Sequence, residues 1–167
     1  PDHAIFVPVA HRKTCADAGC FQSADIVLIA DLSPSMREAP APGAASKLAI
    51  AQKAMVELAY LAPGRIGLVA CNGRPRLDLP LAVYRLETIE AKVRALAVQT
   101  EGSRLDRCLA LARDELASAP AATPAPGTRP YARQGTRAVI ALFTDGRIDA
   151  AGRRASEDVA ERVRALG

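Results

Sequence analysis

The 167 residues carry 22 Lys/Arg against 18 Asp/Glu, a net charge of +4, and half of them are hydrophobic with few aromatics. That length suits one domain with a sizeable core. The modest positive charge is scattered, without a basic run or interleaved aromatics, which disfavours nucleic-acid binding; no apolar stretch is long enough for a membrane-spanning helix, so no membrane insertion of this chain is expected.

Residues 1–23 read as an N-terminal segment; the chain begins at Pro1, with no Met and no signal peptide, as expected of a processed or excised piece. The segment holds the short apolar stretch Ile5–Val9, His3 and His11. It also holds Cys15 and Cys20, placed to close a small disulfide loop, which would imply an oxidising compartment. Asp25–Asp31 follows as a strand whose unbroken aliphatic run predicts burial on both faces. After a Pro/Gly/Ala loop, Ser46 is placed to cap a helix from Lys47 to about Leu61, with Leu48, Ala51, Met55, Leu58 and Ala59 on its core face.

Pro63-Gly64 ends that helix, Ile66–Cys71 is a second strand, and Asn72-Gly73 is a hairpin turn signal before the alternating edge strand Arg76–Leu81. Two helices are predicted over Leu86–Leu96 and Arg104–Ser118, Ser103 capping the second. Pro120–Thr136 has loop composition, Arg137–Phe143 is a strand, and Ser156–Leu166 is a last helix with Val159, Val163 and Leu166 as its apolar seam. Cys71 and Cys108 are expected to be separate, buried, small hydrophobes, and they supply no closely spaced second pair for a four-Cys zinc site.

Strands alternating with helices predict an α/β fold: a doubly wound, mostly parallel sheet with one antiparallel edge strand and helices on both faces. The chain stops at Gly167 where a further strand is expected, so the domain over 24–167 reads as lacking its C-terminal strands, either because the piece is truncated or because a partner segment supplies them.

Chemistry concentrates in Asp31-Leu32-Ser33-Pro34-Ser35, just past the end of a buried strand, where open α/β sheets bind ligands. One carboxylate and two hydroxyls at alternate positions offer hard oxygens of the kind Mg²⁺ prefers. Asp and Ser also serve ordinary turns; what favours a metal here is a second acidic turn, Thr144-Asp145-Gly146-Arg147, after another buried strand. No Ser–His–Asp or Cys–His set falls in the core, and no glycine-rich phosphate loop is present.

These stretches resemble the von Willebrand factor type A domain family over about Ala24–Gly167. Asp31, Ser33 and Ser35 match the first element of that family's metal-ion-dependent adhesion site, Gly102-Ser103 resembles its Gly-Thr loop, and Thr144-Asp145-Gly146 matches its third element. Ser replaces the usual Thr at 103, with Thr100 as the other candidate loop ligand, and Pro34 fills a position commonly held by Gly. The resemblance implies a module that is not an enzyme. Mg²⁺, with Mn²⁺ or Ca²⁺ as alternatives, would be held by Asp31, Ser33, Ser35 and Ser103, with Asp145 acting mainly through water. An Asp or Glu carboxylate from a protein or surface ligand would complete the cation's shell.

Asp106 and Arg147 stand near the same turns; a helix-dipole position and a solvated rim charge are their ordinary readings. Three functions compete. The first is an extracellular or cell-surface adhesion module of a larger parent protein. The second is a cytoplasmic assembly subunit like the type A domain of a magnesium chelatase, working with a separate ATPase. The third is a metal-dependent hydrolase, for which Asp106 or Glu101 would have to be the base.

Overall fold

The computed structural model describes residues 24–62, 64–118 and 137–147. Strand β1 (Ala24–Asp31) directs Ile26, Leu28 and Ala30 to one side and Val27 and Ile29 to the other, all buried. An aliphatic run without alternation requires cover on both faces, and both are covered. Strand β2 (Gly64–Cys71) pairs with β1 in parallel, β3 (Arg76–Ala82) is antiparallel on the far side of β2, and β4 (Arg137–Phe143) is parallel on the other side of β1. The order is β3-β2-β1-β4.

On one face lie α1 (Lys47–Leu61) and α2 (Leu86–Arg94), whose Leu48, Met55, Ile89 and Val93 pack on Ile26, Leu28 and Leu68. On the other lies α3 (Leu105–Ser118), packing Leu105, Cys108, Leu109 and Ala112 on Val27, Ile29 and Val69. This is the expected α/β architecture with helices on both faces. No helix among the described residues is long and apolar enough to cross a membrane.

Local chemistry explains the element ends. The Ser46 side chain accepts from the Ala49 N–H at 3.2 Å, capping α1 as predicted. Gln52, on α1, donates its amide to the carbonyls of Val93 (2.9 Å) and Leu96 (3.0 Å), tying the C-terminal end of α2 to α1. Gln52→Ala is therefore expected to lower stability by about 1–2 kcal/mol, read as a lower thermal midpoint. An unchanged midpoint would mean that water replaces the amide without loss.

The edge strand β3 carries Pro80, which edge positions tolerate, and its Leu81 N–H donates to Glu115 on α3 at 2.6 Å. Where β1 and β2 start side by side, a Cβ on Gly64 (φ +156°) would stand 2.0 Å from the Ala24 carbonyl oxygen, so only glycine fits.

Three expectations need correction. Cys71 and Cys108 are buried, but they are joined in a disulfide that ties the end of β2 to α3; strand end and helix face, 37 residues apart in the chain, meet at a Cα separation of 5.6 Å, within bridging reach. Helix α2 ends at Arg94, before Leu96. Helix α3 begins at Leu105, with Arg104 offering the first helical carbonyl, and Ser103 is drawn into the site instead of capping.

Cys15 and Cys20, between which a disulfide is expected, both lie outside the described residues. His3, His11, the Ile5–Val9 stretch, the Pro120–Thr136 loop and the Ser156–Leu166 helix also lie outside the described residues.

Candidate metal centre

Asp31 closes β1 and is 5% exposed. Its carboxylate accepts from the Ser33 N–H at 2.9 Å, from the Thr144 hydroxyl at 2.7 Å and from the Ser103 hydroxyl. Among the described residues these donors are all uncharged, although buried carboxylates are ordinarily paired with a cation or coordinate a metal.

The loop that follows is held tightly. The Leu32 N–H donates to the Cys71 carbonyl at 2.8 Å, and the Leu32 carbonyl accepts from the Gln99 N–H at 2.8 Å. Ser33 then precedes a 3-10 turn, Pro34–Arg37, whose Met36 is buried in the core on the α1 side. Pro34 supplies the φ that the first position of such a turn needs. The hydroxyls of Ser33 and Ser35 lie 3.2 Å apart.

Ser103, in the loop before α3, shares its hydroxyl proton between Asp31 and the Cys71 carbonyl, the latter at 3.1 Å. Thr100 is exposed in the same loop; the hydroxyl that reaches Asp31 is that of Ser103. Asp145 follows β4, its side chain 7% exposed, and accepts from the Lys47 ammonium at 2.9 Å and the Arg147 N–H at 3.2 Å. Lys47 also reaches Glu38 at 3.1 Å, and the Arg147 guanidinium reaches Glu38 at 2.9 Å. Arg147 is thus engaged within the chain. Asp106, on the first turn of α3, is held by Arg104, which lowers its pKa against the opposing effect of burial.

The structure therefore brings Asp31, Ser33, Ser35, Ser103 and Asp145 to one end of the sheet, and adds Thr144, Lys47 and Glu38. Thr144 is readable in principle: the pairing of Ala30 with Phe143 sets the next residues, Asp31 and Thr144, side by side. Lys47 leaves one trace, a cation in the first turn of a helix, where the dipole disfavours it. Nothing in the spacing points to Glu38.

Two carboxylates and four hydroxyls make an all-oxygen donor set, and no group of three or more His, Cys, Asp or Glu that could hold a metal occurs among the described residues. A hydroxyl that donates to Asp31 still keeps lone pairs for a cation. The residues thus fit a hard divalent ion that retains some water.

Burial, the largest influence on Asp145, pushes its pKa up, but Lys47, the Arg147 N–H and the Ser35 hydroxyl together hold it below the ordinary 3.8. Lys47 is raised above 10.5, chiefly by Asp145 and against burial. A depressed carboxylate stabilises the fold above its unfolded pKa and loses that contribution as pH falls through the folded value; a raised ammonium contributes below 10.5 and loses it as pH rises through its folded value. Lys47→Met is therefore expected to cost roughly 2 kcal/mol near pH 7, between surface and buried ion pairs. The deficit should shrink below about pH 4 as the carboxyl protonates. Urea denaturation at pH 3 and pH 7 checks this, and equal deficits at the two pH values would contradict it.

The family model of the von Willebrand factor type A domain matches residues 26–147. Among solved structures, the chain is similar to the conserved hypothetical protein BatB from Bacteroides thetaiotaomicron (20% identity, TM-score 0.58, 84% of this chain and 62% of that one). It is also similar to proximal thread matrix protein 1 from the mussel byssus (17% identity, TM-score 0.65, 87% and 36%). Another structure of that byssus protein has a zinc-occupied metal-ion-dependent adhesion motif (16% identity, TM-score 0.62, 87% and 36%). At such identities the likeness is one of fold, and the chain spans less than two thirds of the length of each of these proteins. No curated protein matches.

Proposed function

Because the chain belongs to the von Willebrand factor type A domain family, whose members are generally protein–protein interaction modules, we propose that it is a metal-dependent adhesion module. The observation that carries this reading is the buried Asp31, served by neutral donors alone among the described residues and ringed by the hydroxyls of Ser33, Ser35, Ser103 and Thr144. Asp31, Ser33, Ser35 and Ser103 would hold Mg²⁺, or Mn²⁺ or Ca²⁺, directly or through water, and Asp145 would act through water while Lys47 restrains it. The cation, when bound, supplies a positive centre that a partner's Asp or Glu carboxylate can ligate.

The chain's own residues orient the donors. Met36 anchors the 3-10 turn, the Leu32 hydrogen bonds set its start, and Lys47 neutralises part of the charge on Asp145. The Cys71–Cys108 disulfide supports an oxidising, extracellular or cell-surface setting within a larger parent protein. Calorimetric titration of Mg²⁺ and Mn²⁺ into chelator-treated protein tests the reading. Saturable one-to-one binding, and capture of an acidic peptide that a chelator reverses, are expected. Absence of cation binding to the folded protein would overturn it.

A further inference from the structure

The loop that presents Ser103 is closed onto the end of β2 by two hydrogen bonds and, through the first turn of α3, by a disulfide. The Cys71 carbonyl accepts from the Ser103 hydroxyl at 3.1 Å, and the Asn72 carbonyl accepts from the Arg104 N–H at 3.1 Å. The Arg104 carbonyl accepts from the Cys108 N–H at 3.0 Å, and Cys108 is covalently joined back to Cys71. Both cysteines are fully buried, against Val69 and Leu105 in the core beneath α3. The same Cys71 carbonyl also receives the Leu32 N–H at 2.8 Å, so one strand end holds the loop after β1 and the loop before α3 together.

We propose that the Cys71–Cys108 disulfide is a positioning element of the candidate metal centre: by fixing α3 to the end of β2 it holds the Ser103 hydroxyl on Asp31, so cation affinity depends on the integrity of the bond. The inference rests on the metal-dependent reading of the site for its affinity consequence, and on hydrogen bonds alone for its structural one. Without the bond, the hydroxyl has only weak, exchangeable contacts to oppose rotation and drift of the α3 start. Ser also lacks the methyl that would restrict its χ1. Partners that orient a metal ligand typically contribute 10–100-fold in affinity.

The test compares the oxidised protein with the phosphine-reduced protein and with the double variant Cys71→Ala, Cys108→Ala, each with Ser103 present and with Ser103→Ala. In the reduction one phosphine and one water become a phosphine oxide while the disulfide becomes two thiols. Mg²⁺ titration at low temperature should show about tenfold weaker binding on loss of the bond when Ser103 is present, and no further loss when it is Ala. Equal affinities with and without the bond, or equal penalties in both backgrounds, would overturn the proposal.

Amide hydrogen exchange on the metal-free protein gives an independent readout. The Arg104 amide should exchange several-fold faster once the bond is gone. A purely global loss of stability would instead quicken only the slowest core amides and leave Arg104 unchanged, which also overturns the proposal. If oxidised wild type binds no Mg²⁺, the adhesion-site reading fails, and the exchange result alone decides whether the disulfide positions Ser103. Circular dichroism confirms that each variant compared is folded, and reduction of already folded protein serves if the double variant does not fold.

Discussion

Asp31→Ala is expected to remove divalent-cation binding, with affinity falling by at least about 100-fold, beyond what loss of a supporting residue costs. Among the described residues, the carboxylate touches all three converging segments: Ser33 after β1, Ser103 before α3 and Thr144 after β4. Asp31→Asn separates charge from architecture. It keeps an oxygen acceptor in place while removing the charge, so the metal-free thermal midpoint should stay close to that of wild type. Wild type should gain about 2.7 kcal/mol of stability at a Mg²⁺ concentration 100 times its Kd; Asp31→Asn should gain nothing. A midpoint that rises with Mg²⁺ in Asp31→Asn as it does in wild type would place the cation elsewhere.

The second large effect concerns the covalent bond. Replacing Cys71 and Cys108 together by Ala opens a loop of 37 residues, and by the chain-entropy relation its loss should lower unfolding free energy by about 3–4 kcal/mol. In a domain of this size that is a drop in thermal midpoint on the order of 10 °C. Both sulfurs are buried, so the deletion also removes packing between β2 and α3. Scanning calorimetry of the metal-free variant measures it, and a drop of less than about 1 kcal/mol would mean that the unfolded chain is already compact across that loop.

The parts of this molecule readable from sequence are those ruled by local pattern. The buried runs of β1 and β2, the Ser46 cap and the alternation in β3 each express a physical rule over a few neighbouring residues, and each element lies within two residues of its expected bounds. Strand β4 also forms where expected, but as an edge strand among the described residues it leaves Val139 and Leu142 exposed, against the burial its apolar run predicts. The D-x-S-x-S turn is legible because the chemistry of its side chains is written in consecutive positions.

What is not legible depends on distance. Cys71 and Cys108 each fit the ordinary profile of a buried small residue, and only the packing of α3 under β2 brings them together. Proximity in the chain is the measure of nearness that a sequence offers, and it points to Cys15 with Cys20, outside the described residues, without pointing to this pair. Lys47 and Asp145 are 98 residues apart, and the cation's unfavourable place in the first turn of α1 marks it as unusual without naming its partner. Ser103 suits two roles, cap and ligand, and the competition between them is decided by the approach of Asp31 and Cys71, which no local rule contains.

The hydrogen bond from Thr144 to Asp31 spans 113 residues, and β4 docks on β1 across most of the chain. Contacts of such long range form late, because the entropy of closing the intervening loop must be met before they reward the chain. During synthesis, β1, β2 and β3 can assemble with their helices while Thr144 and Asp145 are still unmade. Such an intermediate would carry Asp31 and Ser103 without the third segment. Under the proposed function, Asp31 would lack the Thr144 hydroxyl that holds it, and the site would lack Asp145, until the sheet is finished, so a partner that recognises the filled site would favour mature molecules over incomplete ones.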